Sequence, residues 1–247
     1  QGIDLPEFAA FPLLETLEGR NEIARYFKRH IQIALDARWG FILETPTWRA
    51  NRDWSEKLGY GWEALYAANQ KSVRFMAALR EAYETPQTRM VISGNIGPRG
   101  DGYKPKELMT PDEAADYHRG QIEAFDEAGA DLVTTLTMTH FGEAVGITHA
   151  AQAAGMPNII SFTTETDGRI PTTQTLGNAI QEVDRLTGNG PAYYMVNCAH
   201  PTHFDDALRA DEPWVKRLRG IRANASTKSH EELDNSTGLD QGNPTEQ

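Results

Sequence analysis

Apolar, strand-like runs alternate with helix-like segments along almost the whole chain, and that alternation confines it to a largely parallel α/β sheet. Trp39 to Thr45 reads as a strand, and Trp62 to Tyr83, with Leu65, Val73, Met76 and Leu79 on one face, predicts an amphipathic helix. Met90 to Ile96 is the next strand. Thr110-Pro111-Asp112-Glu113 starts a helix, with threonine as N-cap, proline at the first helical position and glutamate three residues on, and that helix runs to Ala128 and stops at Gly129. Asp131 to Met138 follows as a strand, Gly142 to Ala154 as a helix and Asn158 to Phe162 as a strand. Leu176 to Leu186 and then Ala192 to Asn197 repeat the pattern, and after Asp205 to Arg219 comes a last short run, Ile221 to Ala225.

Such a succession fits either a doubly wound sheet or a (β/α)8 TIM barrel. The chain has no Gly-x-Gly-x-x-Gly turn opening a helix and no P-loop lysine, so nothing favours a nucleotide fold, and the barrel is preferred. Polar residues also follow strand after strand: Glu44, Thr45 and Thr47; Asn95 and Arg99; Thr137 and Thr139; Thr163 to Glu165; Asn197 and Cys198; Asn224 and Ser226. In a barrel these strand ends converge on one mouth, where the site is built. About six strands are countable, whereas a closed barrel needs about eight. Gln1 to Leu14 reads as a loop, and the expectation is an incomplete barrel with one strand before Gln1 and one after Gln247 missing. Residues 1–247 then form one domain, with 229–247 a polar, flexible tail that is helical at best around Glu231 and Leu233.

At 247 residues and 39% hydrophobic content the chain can bury one large core. A formal net charge of -11 argues against nucleic-acid or anionic-membrane partners. The one cysteine cannot form an internal disulfide, and no apolar run is long enough for a membrane span, so a cytoplasmic enzyme is expected. That cysteine, Cys198, lies in Val196-Asn197-Cys198-Ala199-His200-Pro201, at the end of a strand-like stretch. Lone cysteines are usually buried structural residues. Here Asn197, His200, Pro201 and His203 make the strand exit polar, which suits a nucleophile or a soft metal ligand.

The run from Gly94 to Tyr103 (Gly-Asn-Ile-Gly-Pro-Arg-Gly-Asp-Gly-Tyr), the strand exit Val196-Asn197-Cys198 and the Thr45-x-Thr47 strand end resemble the homocysteine S-methyltransferase family, which includes the betaine and S-methylmethionine enzymes. The resemblance runs through essentially the whole chain. It implies a zinc-dependent barrel that transfers a methyl group from a small sulfonium or ammonium donor to the thiol of homocysteine or a related thiol. Cys198 would be the catalytic centre and first zinc ligand. The family's other two ligands, adjacent cysteines of a Gly-Gly-Cys-Cys turn, are expected beyond Gln247, and its Asp-Gly-Gly segment before Gln1. Many members place a glutamate before a threonine to bind the substrate ammonium, where this chain has Leu136 before Thr137. The Pro-Asn-x-Gly turn is here Ala223-Asn224-Ala225-Ser226.

The substrate-binding candidates on this resemblance are Glu44, Thr45, Thr47, Gly94, Asn95, Thr137, Glu165, Asn197 and Asn224. Glu44 would bind an ammonium or be a solvated rim residue, Glu165 would replace the lost ammonium partner, and the Gly94–Gly102 loop would donate amides to a carboxylate. Thr45 and Thr47 suit a strand on propensity alone. His200 and His203 would complete a metal site or remain surface groups. Trp48, Trp54 and Tyr60 would box a quaternary ammonium if betaine were the donor, or cover the rim. The alternative is a non-catalytic barrel of the same descent acting as a small-molecule binder. A metal-free lyase is weaker, because no lysine sits at a strand end to form a Schiff base. The sequence leaves the donor and a homo-oligomer open.

Overall fold

A computed structural model describes residues 3–103, 105, 108–209, 211–238, 240 and 242. Its centre is a sheet of six strands: β1 (Phe41–Glu44), β2 (Met90–Ile96), β3 (Leu132–Met138), β4 (Asn158–Phe162), β5 (Tyr193–Asn197) and β6 (Leu218–Arg222). Each strand pairs in parallel with the next in sequence, so the order is β1-β2-β3-β4-β5-β6 with no reversal. A doubly wound sheet would reverse direction at a switch point, and this one winds one way only.

The sheet is also curled. Laid flat, its six strands would separate β1 from β6 by roughly 24 Å, at about 4.8 Å per strand spacing. Instead Arg222 Nη1 at the end of β6 lies 2.7 Å from Glu44 Oε2 at the end of β1. The fold is therefore an α/β half-barrel, consistent with an incomplete TIM barrel.

The helices among the described residues are α1 (Leu17–Ala37), α2 (Arg52–Lys57), α3 (Trp62–Tyr83), α4 (Pro111–Glu127), α5 (Phe141–Ala153), α6 (Leu176–Thr187), α7 (Pro201–Leu208) and α8 (His230–Asp234), of which α3, α4 and α5 pack against the strands. Helix α3 has the bounds its periodicity predicts and buries Leu65, Val73, Met76 and Leu79. Helix α4 begins on the expected capping box, in which the Thr110 side chain accepts from the Glu113 amide while Glu113 reaches back to the Thr110 amide. Helix α6 ends at Gly188, which takes the left-handed φ of 64° that glycine adopts without steric cost.

Two parts of the reading need correction. The 21-residue helix α1, capped by the Thr16 side chain, occupies a stretch that carries no predicted element, and short 3-10 turns at Pro6–Phe8 and Phe11–Glu15 stand where the sequence reads as loop. The final strand is Leu218–Arg222 rather than 221–225, and the segment before it divides into α7 and a 3-10 turn at Pro213–Arg217. Within the tail, α8 carries its own capping box from Ser229 and Glu232 and buries His230. No described helix is long and apolar enough to cross a membrane.

Candidate functional site

The carboxyl ends of β3, β4 and β5 are tied together by Asn197, which is 1% exposed. Its Oδ1 accepts from the Thr137 amide at 2.9 Å and the Ser161 hydroxyl at 2.6 Å, while Nδ2 donates to Thr137 Oγ1 at 2.9 Å and Cys198 Sγ at 3.2 Å. Every donor and acceptor position of the amide is thereby oriented. The two residues it holds, Thr137 and Cys198, have left-handed φ values of 64° and 55°. Each costs about 1–2 kcal/mol for a residue with a Cβ, and such strain persists where the surroundings impose it.

Cys198 is half-buried and is the chain's one free thiol. Its amide donates to Arg222 O at 3.1 Å, and its carbonyl accepts from His230 Nε2 at 2.7 Å. Burial, followed by the neighbouring Cys198 side chain, holds the Tyr103 phenol well above its ordinary pKa. His230 stacks on the Tyr103 ring at 4.1 Å between centroids and meets Glu165 Oε1 at 3.0 Å through Nδ1. Helix α8 is thus docked over the exits of β4 and β5.

The other predicted residues fall in two groups. Thr45, Thr47 and Asn95 bind one another at the exits of β1 and β2. Thr47 Oγ1 donates to Asn95 O at 2.7 Å, the Asn95 amide donates to Thr45 Oγ1 at 2.9 Å, and the two hydroxyls meet at 2.6 Å. With both hydroxyl protons committed, the threonines fix the geometry of the mouth. Asn95 keeps a buried Oδ1 with no partner among the described residues. Gly94 faces the helix layer, since a Cβ there would lie 2.3 Å from the Phe125 ring. Asn224 closes the last turn through its amide on Ala199 O at 3.0 Å.

Both candidate carboxylates are engaged: Glu44 by Arg222 and Glu165 by His230. Burial raises the pKa of Glu44 and Arg222 opposes that shift. Glu44, Thr45 and Asn95 line a largely apolar cavity of about 640 Å³ beside β1, together with Trp48, Arg49 and Arg222.

Of the expected zinc ligands, the described residues supply Cys198 alone, and among them no group of three His, Cys, Asp or Glu side chains is placed to hold a metal ion. His200 turns Nδ1 onto Thr202 Oγ1 at 2.8 Å, and His203 turns Nε2 onto Thr227 O at 2.9 Å, so neither completes a centre with Cys198. One sulfur does not fit a tetrahedral zinc site, which needs three or four protein ligands. The aromatic box is likewise filled by the chain itself. The Arg49 guanidinium carbon lies 4.1 Å from the Trp48 ring centroid and 3.7 Å from that of Trp54, and Tyr60 packs edge-on against Phe11.

Four residues at or beside the site were not nominated from sequence. Tyr103 closes the glycine-rich run, His230 follows the Ser229-x-x-Glu232 capping box, and both signals were present. Glu143 and His118 form a buried pair at 2.9 Å, with Glu143 also accepting from the Arg99 amide at 2.8 Å. They fix the loop after β2, beside a second cavity of about 560 Å³ reached also by His140.

The sequence profile of the family described as homocysteine S-methyltransferase matches residues 15–243. A homocysteine S-methyltransferase of Escherichia coli (strain K12) is 35% identical over 82 residues, a stretch that spans 30% of this chain and 26% of that protein. The metallated form of the homocysteine methyltransferase MmuM from Escherichia coli superposes with a TM-score of 0.71 at 18% identity, covering 90% of this chain and 85% of that one. Its oxidized form gives 0.69 at 20% identity over the same shares. At these identities the structural likeness establishes the fold.

Proposed function

Because this chain belongs to the homocysteine S-methyltransferase family, we propose that it moves a methyl group from a small sulfonium or ammonium donor to the sulfur of homocysteine or a related thiol. With homocysteine the product is methionine. The donor's carbon–heteroatom bond breaks with its electron pair going to the donor, the new sulfur–carbon bond forms, and the acceptor's thiol proton is released.

The observation that carries this reading is the Asn197–Cys198 turn. A single half-buried sulfur stands at the mouth of a half-barrel, on a backbone held in a strained conformation by an amide that serves three strand ends. A structural cysteine has no need of that scaffolding. Asn197 fixes the sulfur's position by donating to it through its amide, and the buried Tyr103 phenol is its neighbour. Cys198 is therefore the residue we assign to meet the acceptor sulfur. Zinc held by thiolates would lower the pKa of a bound thiol. The described residues offer such an ion one sulfur, so no step is derived through it.

The test is transfer of a deuterated methyl group. The protein is incubated with homocysteine and with trideuteromethyl donors of the sulfonium and quaternary ammonium classes, with and without added zinc, and thioether products are read by mass spectrometry. Labelled methionine from at least one donor, lost in Cys198→Ser, is the expected result. No labelled thioether under any of these conditions would overturn the proposal and leave a binding role as the better account.

A further inference from the structure

The tryptophans after β1 hold a guanidinium rather than an open cation box. Arg49 is sandwiched between Trp48 and Trp54 and is 8% exposed. Among the described residues its hydrogen bond is from Nη1 to Gly100 O at 3.2 Å, and Nε is buried with no partner. An unused donor on a buried cation is costly, and an arginine fork held flat between two rings is pre-organised for a planar anion. Arg49 lines the 640 Å³ cavity beside Asn95.

Burial pulls the Arg49 pKa below its ordinary value, and its acidic neighbours, Asp101 first, oppose the shift, so an incoming carboxylate competes with acids already near the guanidinium. Glu44, on the same cavity wall, is paired to Arg222, and Glu165 is paired to His230. At the position before Thr137 stands Leu136, an apolar residue. Each nominated carboxylate already has a basic partner, whereas Arg49 has no ion-pair partner among the described residues. Tyr103 lies between the two ends of the site, since its phenol feels both Cys198 and the charge of Arg49.

Resting on the methyl-transfer reading, we infer that Arg49 binds the carboxylate of the methyl acceptor, so that the acceptor class is a small thiol carboxylate selected by its acid end rather than by its ammonium. The guanidinium donates to a carboxylate oxygen through Nη2, the nitrogen neither enclosed nor bonded to Gly100, a charge-assisted contact in a site walled by apolar side chains.

Binding of the unreactive probe 4-(methylsulfanyl)butanoate, which keeps the acid and lacks the ammonium, is measured by calorimetry on the wild type, Arg49→Gln and Arg49→Lys. The affinity should fall by roughly tenfold to a hundredfold in Arg49→Gln and less in Arg49→Lys, which keeps the charge. The amine analogue 3-(methylsulfanyl)propylamine should show no such dependence. In the transfer assay the wild type should methylate 4-sulfanylbutanoate with a kcat/KM within about tenfold of that for homocysteine. Equal probe affinity in wild type and both variants overturns the inference, as does methylation of homocysteine with rejection of the des-amino acid. If no thiol is methylated but the probe binds with the stated Arg49 dependence, the methyl-transfer reading fails and Arg49 stands as a carboxylate site.

Discussion

Replacing Asn197 by alanine removes the contacts that hold three strand ends in register, and the structure sets the size of the effect. Four hydrogen bonds are lost, to the Thr137 amide, the Ser161 hydroxyl, Thr137 Oγ1 and Cys198 Sγ. The bond to sulfur is long and contributes least. The Thr137 amide is the costly group, because Thr137 is 2% exposed and a buried N–H left unpaired costs about 1–3 kcal/mol. The Ser161 and Thr137 hydroxyls add about 1 kcal/mol each, less whatever a bound water recovers. Relief of the left-handed backbone at Thr137 returns at most about 1–2 kcal/mol. The net loss expected is about 2–4 kcal/mol. Ser161→Ala, which removes a single one of these bonds, should lose about 1 kcal/mol. Urea denaturation followed by circular dichroism measures both, and the shift in midpoint multiplied by an unchanged slope gives the difference. A loss in Asn197→Ala no larger than in Ser161→Ala would refute the reasoning that Asn197 is the tie between these strands.

Two further outcomes follow from the same structure. Burial holds the pKa of His140 below its ordinary value of 6.5, with Glu143 opposing, so the unfolded chain takes up a proton that the folded one refuses. Stability should then fall as the pH drops below about 6.5, and His140→Asn should flatten that part of a denaturation-versus-pH curve; an unaltered slope would count against it. His230→Ala removes both hydrogen bonds and the Tyr103 ring contact that dock α8, so amide exchange in 230–234 should rise by roughly tenfold or more while the core strands are unchanged. Equal protection of α8 in both proteins would show that it is held elsewhere.

The sheet was legible because its strands are buried on both faces. Met90–Ile96 and Asn158–Phe162 are short apolar runs between turn signals, and their bounds came out as written. Strand β6 was displaced for the opposite reason: it is an edge strand carrying Arg219, Gly220 and Arg222, with no fully buried residue, so no apolar run marks it. Helix α1 buries Gly19, Ile23, Ile31 and Ala34 on one face, a helical period present in the sequence but obscured by the charged residues around it.

At the site, the Asn197–Cys198 turn was legible because a polar pair closing an apolar strand is conspicuous. Arg49 was not, since a charge after a strand reads as solvated rim, and only the fold brings Trp54 over its second face. The Glu44–Arg222 pair joins residues 178 apart in sequence, which no local pattern can reveal. Both carboxylates proposed for ammonium binding came out engaged for this reason: their partners lie on distant strands and helices.

Because Cys198 is the chain's one cysteine, its alkylation can be followed without interference. The most direct test is the rate at which iodoacetamide labels Cys198, read by mass spectrometry, with and without saturating methionine, the product thioether, which has no thiol to consume the reagent. If the acceptor sulfur meets this residue, methionine slows labelling by roughly tenfold or more, in proportion to its occupancy, and the alkylated protein no longer transfers a methyl group. An unchanged labelling rate, or full activity after alkylation, would place the chemistry away from Cys198 and contradict the account.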